Sequence, residues 1–176
     1  MLGCGRVIKD RATNADRPQV HPVGLDGPQE TVCRWDGATK SGSHSAGGMV
    51  IMNQAGEIIF ANGVQFRMIY DPLVVEVLAL REAVNWCRDH AFTVVRFEGD
   101  AKVFINKILL ADAKDNRMGA ILQEVIQCFA SNPGFSVRFV GWDNNRVAHL
   151  EARKALSLYP SMSRVFDYQT WLNSRM

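Results

Sequence analysis

Residues 73–88 read Leu-Val-Val-Glu-Val-Leu-Ala-Leu-Arg-Glu-Ala-Val-Asn-Trp-Cys-Arg, and here the hydrophobic period of the chain changes. Apolar side chains recur at the spacing of one helical face, namely Leu73, Val77, Leu80, Val84 and Cys87. Pro72, directly before them, is typical of the first turn of a helix. The stretch therefore predicts an amphipathic helix, and its neighbours on either side decide the fold class.

Three short strands are predicted before this helix. Residues 31–38, 46–52 and 57–66 are strand-like, and residues 53–56 between the last two are typical of a hairpin turn. After the helix we predict, in order, strand 93–98, helix 102–110, a helix ending at 130, strand 135–140 and helix 144–158. An antiparallel meander followed by βα units predicts an α/β fold with a mixed sheet covered by helices.

The chain has the size of one domain. Its 176 residues, 47% of them hydrophobic, are sufficient for a core. Residues 1–30 are rich in Pro, Gly and polar residues and are interpreted as a flexible leader. Residues 31–158 form the predicted domain, and residues 159–176 a tail. The tail's aromatic side chains would either pack back on the domain or anchor a protein partner: Phe166, Tyr168 and Trp171.

The composition excludes several classes of protein. The four cysteines contain no Cys-x-x-Cys pair, which favours core thiols over a zinc site or a disulfide framework. No apolar run approaches the roughly 20 residues that span a bilayer, and no signal peptide is recognisable. We therefore expect the protein in the nucleus or the cytoplasm. A net charge of +2 permits nucleic-acid binding without arguing for it.

Three acids have no evident structural purpose. Asp36 interrupts the first strand-like segment, and Asp100 follows the strand 93–98 after a single glycine, Gly99. Glu76 lies about 60° from the centre of the apolar stripe of its helix. Carboxylates that converge repel one another unless a cation joins them. The three acids therefore predict a divalent metal site, which suggests phosphate-ester chemistry.

Each acid also has a purely structural interpretation that requires no metal. Asp36 before Gly37 is typical of a turn, and Asp100 could cap the helix that follows it. Glu76 could instead pair with a neighbouring arginine, either Arg34 or Arg81. These alternatives require three separate explanations, whereas a metal site requires one.

Four blocks in a fixed order carry a resemblance to a known family. They are Trp35–Ala38 with Ala46–Gly48, then Val75–Ala83, then Phe97–Ala101, and finally Asn145–His149 with Ala152–Arg153. Over residues 33–158 the sequence resembles a type 1 ribonuclease H domain of the plant, retroelement-derived branch. The resemblance implies a ribonuclease H-like fold, a five-stranded mixed sheet with helices on both faces.

The resemblance also implies an activity. Asp36, Glu76 and Asp100 would hold two Mg²⁺ or Mn²⁺ ions and hydrolyse the RNA strand of RNA–DNA hybrids. His149 stands where the family has a fourth catalytic acid. Because an imidazole nitrogen suits magnesium less well than an oxygen, this departure predicts weaker turnover and a preference for manganese.

Contacts with the nucleic acid are predicted at six further positions: Gly37, Ala38, Asn62, Asn106, Asn145 and Arg146. The other basic residues on the helices, among them Lys102 and Arg153, are interpreted as a solvated face. The missing basic protrusion at 110–117 predicts weak binding of the hybrid. The short loop 141–144 lacks the histidine that many members of the family have there for product release, so the resemblance implies slower turnover. We expect the protein to be a monomer. Two alternatives stay open: a domesticated retroelement domain that binds but cleaves poorly, and a protein-interaction module.

Overall fold

The computed structural model describes residues 29–40, 44–114, 118–158 and 165–167. Its elements are β1 (Thr31–Lys40), β2 (His44–Met52), β3 (Ile58–Arg67), α1 (Pro72–Asp89), β4 (Val95–Gly99), α2 (Lys102–Leu109), α3 (Gly119–Ser131), β5 (Phe135–Phe139), α4 (Trp142–Ser157) and β6 (Val165–Asp167). The predicted order of the first nine elements is confirmed. Most of the predicted leader, and Tyr168 and Trp171 of the tail, lie outside the described residues.

The strands form one mixed sheet in the order β5-β4-β1-β2-β3-β6. β1, β2 and β3 pair antiparallel as the predicted meander, while β4 pairs parallel with β1 and β5 parallel with β4. The five-stranded mixed sheet is thus confirmed. The backbone of 165–167 adds a short sixth strand, parallel to the end of β3, which the sequence did not predict.

Helices cover both faces of this sheet, as predicted. Gly47 and Gly48, adjacent in β2, show this coverage, because neighbouring residues of a strand point to opposite faces of the sheet. A Cβ on Gly47 would meet the Cβ of Ala79 in α1 at 2.8 Å, whereas a Cβ on Gly48 would overlap the backbone of Ala152 in α4. The two glycines therefore let α1 and α4 approach the sheet closely from opposite sides.

The core lies between α1, α2, α3 and the sheet. Its largest fully buried side chains include Trp35, Phe66, Phe97, Phe104 and Leu78. α1 is buried on more sides than one stripe predicts, because it packs against both the sheet and α3. Leu73, at the start of the predicted stripe, is instead exposed. Among the described residues, no helix is both long and apolar enough to cross a membrane.

Candidate metal centre

Asp36 lies within β1, on a backbone position that pairs with Gly48 of β2. The strand runs on through Asp36 without a break, so the turn interpretation fails. The side chain of Asp36 is buried, with only 4% of its surface exposed. A buried carboxylate in mid-strand needs a partner, because burial without one is costly.

Glu76 lies in the first turns of α1, a helix capped by the Asp71 side chain, which accepts a hydrogen bond from the Leu73 amide at 2.9 Å. The Glu76 Oε2 atom is buried and has no hydrogen-bond partner in the described part of the chain. The two arginines considered as partners are engaged elsewhere: Arg34 with Glu98 at 3.0 Å and Arg81 with Glu82 at 2.7 Å. The ion-pair interpretation of Glu76 therefore fails.

Asp100 follows β4 directly. Helix α2 begins at Lys102 with Ala101 as its N-cap residue, and no side chain caps it, so the capping interpretation of Asp100 fails. Asp100 instead accepts a hydrogen bond from Asn145 Nδ2 at 3.3 Å, and the same nitrogen donates to the backbone oxygen of Trp35 at 2.9 Å. Asn145 thus joins the start of α4 to β1 and to Asp100 at the end of β4.

The structure brings the three acids together. One carboxylate oxygen from each of Asp36, Glu76 and Asp100 lies within 4.8 Å of the others. Burial, reinforced by the charges of Asp36 and Asp100, holds the pKa of Glu76 well above its usual range. Burial also raises the pKa of Asp36, although the hydrogen bond from His149 partly offsets this effect.

Both pKa shifts arise chiefly from burial, and the charges of the neighbouring acids add to them. Hard divalent cations prefer oxygen ligands such as carboxylates. The cluster offers three carboxylates close together, and one of their oxygens, Glu76 Oε2, is buried without a hydrogen-bond donor in the described part of the chain. The cluster is therefore compatible with divalent-metal binding.

His149 contacts the cluster directly. Its Nδ1 atom lies 2.7 Å from Asp36 Oδ2, and about a third of its side chain is exposed. Helix α4 begins at Trp142, two residues before the predicted start at 144, so His149 lies two turns into the helix. One acid of the cluster therefore has an imidazole as its neighbour.

The other predicted contacts are dispersed. Gly37 and Ala38 line a groove with His149, and Arg146 is exposed on α4. Asn62 on β3 and exposed Asn106 on α2 are not members of the acid cluster.

Asn145 requires a correction. It is fully buried and bonded to protein atoms, so its side chain is not placed to contact a nucleic acid. It is a positioning residue for Asp100.

Sequence reasoning missed two features near the cluster. Trp142, whose ring centroid lies 6.3 Å from that of His149, is more than half exposed. Its spacing of seven residues from His149 could have revealed it, had the helix start been placed correctly. The second feature is Glu98, which is buried among three arginines from three strands. Cross-strand partners so far apart in sequence leave no local signal.

Comparison with known proteins agrees with this geometry. A family model described as reverse transcriptase-like matches residues 34–155. No curated protein sequence matches the chain.

Among solved structures, RNase H1 from the halophilic archaeon Halobacterium salinarum NRC-1 is 20% identical, with a TM-score of 0.62 over 73% of this chain and 98% of that one. LC11-RNase H1, in complex with an RNA/DNA hybrid, is 12% identical with a TM-score of 0.64, over 72% and 96% of the two chains. The PFV RNase H domain is 15% identical with a TM-score of 0.59, over 75% and 97%. These similarities establish the ribonuclease H-like fold.

Proposed function

The chain belongs to the reverse transcriptase-like family, and from this premise we propose that it is a metal-dependent endonuclease that hydrolyses the RNA strand of RNA–DNA hybrids. The observation that carries the proposal is the cluster of Asp36, Glu76 and Asp100. A structural neighbour, LC11-RNase H1, is known in complex with such a hybrid, which supports this substrate class.

The three acids would hold the metal, with two Mg²⁺ or Mn²⁺ ions as the proposed complement. When bound, divalent ions supply the positive charge that activates a water and stabilises a departing oxygen in phosphate-ester hydrolysis. The protein's own contribution is orientation. Asn145 fixes the Asp100 carboxylate against the backbone of β1, and His149 fixes that of Asp36. Burial keeps bulk water away from Asp36, which strengthens its interaction with a cation.

A second candidate function is nucleic-acid binding with little or no hydrolysis. It is favoured by the His149 contact with Asp36, because an imidazole brings no negative charge to a site that has to neutralise divalent cations. The retroelement-derived, domesticated domain considered from the sequence would behave in this way.

Cleavage of an end-labelled RNA–DNA hybrid, in magnesium and separately in manganese, tests the proposal. We expect Asp36→Asn and Asp100→Asn each to lower the cleavage rate by at least about 100-fold, because each removes a charged oxygen ligand. Asp89→Asn is the matched control, since Asp89 is an exposed acid at the far end of α1. Absence of cleavage by the unaltered protein in both metals, with binding retained, would leave the second candidate.

A further inference from the structure

Two exposed aromatic side chains lie at the two ends of the short link between β5 and α4. Phe139 ends β5 and is 43% exposed, and Trp142 begins α4 and is 54% exposed. Only Val140 and Gly141 separate them, and the Val140 amide donates to the Gly99 oxygen at 2.9 Å, directly before Asp100. We call Phe139 and Trp142 the aromatic platform. Large aromatic rings left in water beside a polar site have a physical cost, which a ligand that covers them would remove.

Each ring of the aromatic platform has a cation beside it. Lys102 Nζ lies 5.7 Å from the ring centroid of Phe139, and Arg146 Cζ lies 5.7 Å from that of Trp142. Both cationic side chains are exposed. An aromatic face next to a solvent-accessible cation is the pairing that binds a nucleotide, because the ring stacks on the base while the cation binds the phosphate.

Trp142 connects the aromatic platform to the candidate metal centre along α4. Trp142, Arg146, His149 and Arg153 recur at the spacing of a single face of α4. Along this face Trp142 contacts the ring of His149, which in turn contacts Asp36. Beyond His149, a groove of about 440 Å³ runs between residues 37–40 of β1 and Arg153. A strand whose phosphate lies at the acids would therefore pass Trp142 on one side and Arg153 on the other.

We propose that Trp142 stacks on an unpaired base, so that the site takes hybrids with a single-stranded segment beside the phosphate to be cleaved. The reason is geometric, because bases inside a duplex have both faces covered by their neighbours. An aromatic side chain can stack only on a base with one face open, at an end, a gap or an overhang. This inference rests on the proposed function for its substrate, but the stacking itself requires no hydrolysis.

The first test compares the affinities of two hybrids, one blunt and one with a short single-stranded extension. Binding is measured with the full chain in calcium, which replaces magnesium without turnover. We expect the extended hybrid to bind more tightly, and Trp142→Ala to lower the ratio of the two affinities by about 5-fold to 100-fold. Trp142→Phe, which keeps an aromatic face, should retain most of the ratio.

Ile58→Ala is the matched control. Ile58 is 53% exposed, nearly as much as Trp142. It lies at the start of β3, beside the hairpin turn. The acid cluster is level with a different part of this strand, because Asp36 pairs with Gly48 and Gly48 pairs with Gly63, five residues after Ile58. The ratio of affinities should therefore survive this substitution. An equal ratio for the Trp142→Ala variant and the unaltered protein would overturn the proposal.

The second test follows the fluorescence of Trp142. Trp35 and Trp86 are buried, and a Trp171→Phe background removes the fourth tryptophan of the chain. In this background, a single-stranded oligonucleotide in calcium should quench emission, and Trp142→Phe should abolish the quenching. Binding without any change in emission would show that the nucleic acid does not contact Trp142, which would overturn the proposal. The aromatic platform would then be a candidate site for a protein partner.

The outcomes separate this inference from the proposed function. Trp142-dependent preference for the extension, without hydrolysis in magnesium or manganese, would support the stacking and refute the endonuclease. If both hybrids are hydrolysed and the blunt and extended hybrids bind with equal affinity in calcium, the endonuclease is supported and the stacking is refuted.

Discussion

Glu76 is a buried carboxylate whose surroundings in the protein do not stabilise its charge, and this makes it a candidate ligand for a cation. Its Oε2 atom is buried without a hydrogen-bond partner, and its nearest charged neighbours, Asp36 and Asp100, are also acids. A side chain selected for stability alone would be neutral here, or it would have a basic partner. A divalent cation held by the three acids would offset this unfavourable placement.

The pKa of Glu76 leads to a prediction about stability without metal. Because burial raises the folded-state pKa above the unfolded value, the folded state binds more protons between these two values. In EDTA, stability should rise as the pH falls from neutral towards the ordinary glutamate value of 4.5. Glu76→Gln should raise the thermal midpoint at neutral pH. It should also weaken the pH dependence of stability, so that only the part due to the raised pKa of Asp36 remains.

Thermal unfolding across this pH range measures the effect. Glu57→Gln, at an exposed glutamate in the β2–β3 turn, is the control. A Glu76→Gln variant with a lower midpoint at neutral pH would indicate that the carboxylate has a structural partner.

His149 carries a second prediction at the residue scale. An aspartate in its place would add a charged oxygen beside the cluster, where the imidazole now contacts Asp36. We expect manganese to support faster hybrid cleavage than magnesium in the unaltered protein, and His149→Asp to raise the magnesium rate by roughly 10-fold. His149→Asn, which adds an oxygen without charge, separates the two contributions. Equal rates in both metals, with no gain from the aspartate, would contradict this role.

At the scale of elements, Glu98 joins three strands of the sheet. Its carboxylate accepts hydrogen bonds from Arg34 of β1 at 3.0 Å, from Arg96 of β4 at 3.0 Å, and from Arg138 of β5 at 2.5 Å. Burial alone would raise the pKa of Glu98, but the hydrogen bonds from Arg96 and Arg34 outweigh it and hold the pKa below the usual value. Glu98 lies two residues before Asp100, so this network also fixes the strand that ends directly before the third acid.

We predict that Glu98→Gln destabilises the protein by about 1 to 3 kcal/mol, because three guanidinium groups lose a shared anion. The lower part of this range reflects Arg138, whose side chain is 59% exposed and therefore largely hydrated already. Chemical denaturation at neutral pH provides the measurement, again with Glu57→Gln as the control. A change within a few tenths of a kcal/mol would mean that the network contributes little to stability.

At the scale of the whole molecule, the modest net charge of +2 limits how tightly any nucleic acid is held. Few phosphate contacts can form, so selectivity has to depend on local contacts near the acids rather than on a general positive field. Under the proposed function, those local contacts would include the 2′-hydroxyl groups that distinguish RNA from DNA.

Weak binding and local selectivity give a prediction for substrate choice. Hybrid affinity should be weak and should fall only moderately with added salt, because few phosphate contacts release few counterions. Hybrid should be cleaved in preference to double-stranded RNA, with double-stranded DNA left intact. Salt titration and side-by-side digestion at low salt provide the measurements. Equal cutting of all duplexes would indicate a general nuclease instead.

The sequence by itself determined the order of the main elements, the class of the sheet and the identities of the three acids. Local periodicity specifies helices and strands, and a carboxylate on an apolar helical face such as Glu76 is visible without a structure. Only the tertiary structure decided how these acids are partnered. It showed that Arg34 bonds to Glu98 rather than Glu76, and that Asn145 is buried beneath Asp100. It also placed Trp142 beside His149. Such contacts depend on strand pairing and helix docking between residues far apart in the chain, and local patterns carry no information about them.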